Sequence, residues 1–146
     1  MQRRRIYLMR HAEVRYFEGV HPEQVVLTER GRVQAESAAA ELRDVAFDRV
    51  LPELDALLGD GSWDVALLVL HGAVNRAILS FAVTGQRIFL GGFEQAPGCI
   101  NVLDVGGDGR WIVRAVNHLA YDPAHVAAPR LTTMEHLWQE YMDSRR

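Results

Sequence analysis

Residues 65–70 read Val-Ala-Leu-Leu-Val-Leu, an apolar run without a charge in it, and His71-Gly72 follows at once. A continuous apolar run of that length fits a strand buried on both faces, the habit of parallel sheets. Directly after it, Val74, Ala77, Ile78 and Phe81 recur at helical spacing up to Gly85, a natural helix stop. A buried strand feeding a helix is the repeating unit of the α/β class. The predicted architecture is therefore a three-layer α/β/α sandwich with a mostly parallel central sheet. The 146 residues suit a single domain.

The rest of the chain continues this alternation. Ile6-Tyr7-Leu8-Met9 is a short buried strand that ends in Arg10-His11. Residues 12–26 lack a period and contain Gly19 and Pro22, which marks a loop. Thr28 is a helix cap, and Ala35, Ala38, Ala39 and Leu42 form the stripe behind it, with Gly31 a weak point. Residues 46–50 read as a second strand, and 51–58 as a short helix stopped by Gly59. Cys99–Val105 and Trp111–Val116 read as an edge hairpin turned by residues 106–109. Thr132-Thr133-Met134-Glu135 fits a capping box, ahead of a stripe of Met134, Leu137, Trp138 and Tyr141.

Charge and cysteine usage narrow the function. A net charge of -3 argues against broad charge-driven nucleic-acid binding. The one cysteine, Cys99, allows neither an internal disulfide nor a CxxC metal pair, which suits a reducing, cytoplasmic setting. Arg3-Arg4-Arg5 precedes an apolar stretch too short for a signal peptide or a membrane span, and reads as a solvated strand lead-in.

The two clearest strands each end in a histidine. In open parallel sheets, ligands bind beyond the carboxyl ends of the strands. If the strands at 6–9 and 65–70 are neighbours, His11 and His71 meet in one crevice. The helix after His71 adds unpaired backbone N–H groups and a positive dipole end, and Arg10 adds a fork that fits phosphate oxygens. A neutral imidazole can attack phosphorus and carry the phosphoryl group. A second imidazole and an arginine can stabilise the equatorial oxygens without a metal or another cofactor. A lone strand-end histidine is more often a packing residue, so the pairing carries the argument. His21, His125 and His136 read as surface or loop residues, and His118 has a weaker claim at the end of a strand.

Three stretches resemble one family. Leu8-Met9-Arg10-His11-Ala12-Glu13, Leu27-Thr28-Glu29-Arg30-Gly31-Arg32-Val33-Gln34-Ala35 and Val69-Leu70-His71-Gly72-Ala73-Val74 are similar, in order, to the Arg-His signature, the "LTxxGxxQA" helix start and the second histidine motif of the histidine phosphatase superfamily. That family includes the cofactor-dependent phosphoglycerate mutases. The resemblance implies that His11 is the nucleophile and Arg10 the first phosphate-binding arginine. It implies that His71 steadies the phosphate, and that the backbone at Gly72-Ala73 completes the cradle. Asn75 and Arg76 are better read as residues of the helix's first turns.

The chain also departs from the family pattern. A helix with a second phosphate-binding arginine, and a later excursion with a general-acid glutamate, belong between segments that here touch at Val50-Leu51. The pattern is naturally shortened here, the sequence has been altered at this junction, or a segment between these residues is left out of it. Two carboxylates of this chain stand in as acid candidates, Glu13 and Glu94, although a solvated loop role is the commoner one for such residues. The sequence thus predicts a phosphomonoester hydrolase, or a mutase-like relative, working through phospho-His11 on a small phosphorylated substrate. The alternative is a catalytically inactive phosphate-binding or protein-interaction module of the same fold. A purely structural subunit is the weakest reading. Oligomeric state is left open.

Overall fold

The computed structural model describes residues 3–16, 21, 24–51 and 54–146. Five strands form one sheet: β1 (Arg3–Arg10), β2 (Arg49–Leu51), β3 (Val65–Leu70), β4 (Ile100–Gly106) and β5 (Trp111–His118). Four helices among the described residues accompany it: α1 (Glu29–Glu41), α2 (Leu54–Gly59), α3 (Gly72–Thr84) and α4 (Thr133–Ser144). The spatial order is β2-β3-β1-β4-β5. β2, β3 and β1 run parallel, and the β4–β5 hairpin closes the other edge antiparallel. The α/β class and the parallel core agree with the sequence, and the edge hairpin lies where it was expected.

The two histidine-bearing strands are direct neighbours, with Ile6 opposite Ala66 and Arg10 opposite Leu70. One sheet face carries the core. Ile6 and Leu8 of β1, with Ala66, Leu68 and Leu70 of β3, pack against Leu57 of α2 and Ile78 and Leu79 of α3. The lead-in arginines belong to β1 itself. Arg4 lies over the ring of Trp63 at 4.4 Å. Arg5 pairs with Asp104 at 2.7 Å, and Arg114 reaches the same carboxylate at 2.8 Å, which locks β1, β4 and β5 together. This pairing holds Asp104 below the usual carboxylate range.

Several element readings change. β2 runs through Leu51 in unbroken register with β3, opposite Ala66, Leu67 and Leu68, and α2 starts at Leu54 rather than 51. Ladder pairing claims the first residue of the expected helix. Gly19, Pro22 and residues 52–53 lie outside the described residues. α1 buries Gly31, Gln34 and Ala38 instead of the full alanine stripe. α3 buries Asn75, Arg76, Ile78, Leu79 and Ser80, and leaves Val74 and Phe81 exposed. In both helices the buried face includes polar side chains with partners in the loops, so apolar spacing misplaces it. α4 has the predicted capping box at Thr132 and Glu135, but no buried residue; Met134 and Trp138 face solvent.

Candidate active site

The site forms where β1 and β3 end side by side. The pairing runs one residue past the strands, since the His11 N–H donates to the carbonyl of Leu70 at 3.1 Å. This brings the two rings together, with His11 and His71 centroids 5.0 Å apart and nearly perpendicular. The distance is short enough for one phosphoryl group to touch both.

His11 is held in the tautomer a nucleophile needs. Its Nδ1 lies 2.9 Å from the carbonyl of Ala12, which can only accept, so Nδ1 carries the proton. Nε2 keeps its lone pair, and the Tyr16 hydroxyl donates to it at 3.3 Å. Burial, chiefly, pulls the imidazole pKa below 6.5, and the neighbouring Arg10 and His71 act in the same direction. The ring is therefore neutral at pH 7.

Arg10 is buried beside it. One guanidinium nitrogen donates to the carbonyl of Gln95 at 2.6 Å, while Nε is buried without a partner. Burial weakens its charged form. An anion arriving here would supply both the missing acceptor and the missing countercharge. Gly72 opens α3 against this arginine: a Cβ at Gly72 would stand 3.5 Å from the Arg10 side chain. His71 caps α3 without a side-chain bond, and the first backbone bond returning to it comes from Asn75. The N–H groups of Gly72 and Ala73 thus precede the helical ladder, as in an anion site.

Sequence reasoning missed Gln95, which fixes Arg10 through its carbonyl. Its side chain forms a reciprocal amide pair with Asn101, at 2.9 and 2.8 Å, and Asn101 also donates to Leu8. The available signal was Asn101, a polar residue inside an apolar strand run. Cys99 lies in the same buried cluster; burial pushes its thiol up to about 12, so it stays protonated.

The three residues of the "LTxxGxxQA" stretch that face the loop converge on Glu13. Thr28 donates to its carboxylate at 2.6 Å and caps α1 through the Gly31 N–H. Gln34 accepts its backbone N–H at 2.8 Å. Gly31 leaves room for its carbonyl, which a Cβ would meet at 2.0 Å. Glu94 is more heavily engaged. Thr133 donates to one carboxylate oxygen through both its N–H and its hydroxyl, and Arg76 approaches the other at 3.4 Å. Arg76 also donates to the carbonyl of Phe93 at 2.6 Å. His118 Nε2 lies 3.3 Å from a Glu41 carboxylate oxygen of α1, at the edge of the sheet.

A cavity of about 560 Å³ opens beside these groups. Its lining includes Arg10, His11, Glu13 and Glu94, together with His125 and His136, two histidines the sequence left as surface or loop residues. His71 touches His11 from outside that lining. Among the described residues, no set of three or more His, Cys, Asp or Glu side chains is grouped to hold a metal, and no helix is long and apolar enough to cross a membrane.

Residues 6–51 and 47–118 match the model of the histidine phosphatase superfamily (branch 1), and the chain belongs to that family. The match comes in two pieces that meet around the Val50-Leu51 junction. No curated protein matches the chain. Among solved structures, it is similar to an Escherichia coli K-12 protein named as a candidate α-ribazole-5′-phosphate phosphatase, with a TM-score of 0.66 and 16% identity over 78% of this chain and 96% of that one. It is also similar to a candidate phosphohistidine phosphatase SixA from Nakamurella multipartitia, with a TM-score of 0.61 and 18% identity over 82% and 98%. The α-ribazole phosphatase of Shigella flexneri follows, with a TM-score of 0.55 and 17% identity over 77% and 96%. At such identities the likeness is one of fold.

Proposed function

We propose that this chain, acting as one domain, is a phosphomonoester hydrolase that works through a phospho-His11 intermediate. The observation that carries the reading is the His11 ring, with Nδ1 tied to Ala12, the Nε2 lone pair engaged only by the Tyr16 hydroxyl among the described residues, and the His71 ring 5.0 Å away. Family membership and two phosphatase-named neighbours support the class of reaction.

In the first step the Tyr16 hydroxyl turns aside, and Nε2 bonds to phosphorus as the ester P–O bond breaks in line. Arg10, His71 and the N–H groups of Gly72 and Ala73 hold the equatorial oxygens. The leaving oxygen takes a proton. We assign that proton to Glu13, which lines the cavity with His11, rather than to Glu94, whose two oxygens already serve Thr133 and Arg76. In the second step water attacks phosphorus, Glu13 recovers a proton, and the N–P bond breaks. Inorganic phosphate leaves and the imidazole returns neutral. The lone buried Cys99 supports a reducing, cytoplasmic setting for this enzyme.

The test is acid-quenched labelling with a phosphate-labelled aryl phosphate. An acid-labile label is expected, and it should vanish in His11→Ala together with turnover. The missing second arginine favours one other reading, an inactive phosphate-binding module. Vanadate binding without any label or turnover would establish that reading and sink the hydrolase.

A further inference from the structure

We propose that the cavity beside His11 receives the leaving group of the ester, and that this group is a neutral, apolar alcohol without a second phosphate. The inference rests on the phosphatase reading above and adds a substrate class to it.

In-line displacement places the leaving oxygen opposite Nε2, so the rest of the substrate must extend away from His11. The cavity that includes Arg10 and His11 in its wall offers the space, and its volume of about 560 Å³ falls in the usual range for small-molecule pockets. The wall includes the apolar side chains of Val14, Val33, Leu119, Leu131 and Leu137 among its polar groups. Val33 and Leu131 are 52% and 42% exposed, so apolar surface there stands open to be covered by a ligand. Charge sharpens the selection. Beyond Arg10, Asp122 and Glu140 line the cavity against Arg30, while Glu94 is already paired with Arg76 and Glu13 holds the proton for the leaving oxygen. A second phosphate or a carboxylate on the leaving group would meet mostly its own sign. A bisphosphate, which mutase chemistry requires, fits this wall poorly.

The far wall is tied to the phosphate end. Glu94 binds the first turn of α4 through Thr133, and the adjacent Gln95 carbonyl holds Arg10. The 94–95 segment therefore joins the pocket for the alcohol to the seat for the phosphate.

The experiment compares kcat/KM for ethyl, butyl, hexyl and 3-phenylpropyl phosphates, whose alcohols are similar in acidity, and for hexane-1,6-bisphosphate. Efficiency should rise at least tenfold from ethyl to hexyl, since one buried methylene is worth up to about fourfold. The bisphosphate should fall at least fivefold below hexyl phosphate. Leu131→Asp and Val33→Asp, both at exposed positions, should each pull the hexyl-to-ethyl ratio toward one. A flat series with intact acid-labile labelling overturns the apolar subsite and leaves phospho-His11 standing. A preference for the bisphosphate overturns the charge argument. Absence of label from every phosphate removes the phosphatase reading, and this inference with it.

Discussion

His11 is set up by its nearest neighbours more than by any distant group. The Ala12 carbonyl selects the tautomer, and burial beside Arg10 and His71 keeps the ring neutral. This gives a direct prediction. In an NMR titration of the free protein, His11 should titrate below 6.5. In the proposed reaction the neutral ring attacks, so phosphorylation should fall as the pH drops through that lower value. The stability consequence has the same direction. Unfolded imidazole binds its proton first, so the fold loses stability as the pH falls from 6.5 toward the native value. A midpoint above 6.5 would mean that the site stabilises imidazolium, and the attacking role would then need another residue. Arg10-His11 and His71-Gly72 were legible in the sequence because strand ends mark sites in this class of sheet. Gln95 was not, because it acts through a backbone carbonyl, which every residue type has.

At the scale of elements, the closest fit lies between α1 and the loop after β1. Thr28, Gly31 and Gln34 each serve Glu13, one through its carboxylate, one by leaving room and one through its N–H. Gly31 looked like a weak point by helix propensity, where alanine is better by about 1 kcal/mol. Packing reverses that. A Cβ 2.0 Å from the Glu13 carbonyl oxygen forces α1 and the loop apart. Gly31→Ala should therefore cost about 1–3 kcal/mol in urea unfolding, the range for overpacking, and should lower turnover by displacing the neighbours of His11. A midpoint equal to or above wild type would show that the loop yields freely. α3 carries the same lesson about legibility. Its apolar residues Val74 and Phe81 mark a helix correctly but not its buried face, because Arg76 and Ser80 are buried with backbone partners at 2.6 Å each.

Across the whole molecule, one sheet brings three separate segments to one end: β1 with Arg10 and His11, β3 with His71, and the 94–95 segment that grips Arg10. An anion seated among them should stabilise the fold as a unit. Vanadate at a hundredfold excess over its Kd should add about 2.7 kcal/mol to unfolding stability, visible as a rise in melting temperature. Arg10→Ala should abolish that rise. If the rise persists in Arg10→Ala, the anion binds elsewhere. The Val50-Leu51 junction is also a feature of this scale. β2 passes through it in register, and the family match divides around it. Val50 and Val69 are exposed on the strands next to the junction.

The sequence by itself determined the α/β class, the strands that end in histidine, the capped helices and the residues that resemble a phosphatase site. These are local properties: apolar periods, caps and short motifs are written within a dozen residues and follow backbone geometry. The adjacency of β1 and β3, the tautomer of His11, the engagement of Glu94 by Thr133 and Arg76, and the cavity built against α4 were decided only by tertiary structure. Each depends on groups far apart in the chain whose meeting is set by sheet order and buried hydrogen bonding, and no local pattern encodes that meeting.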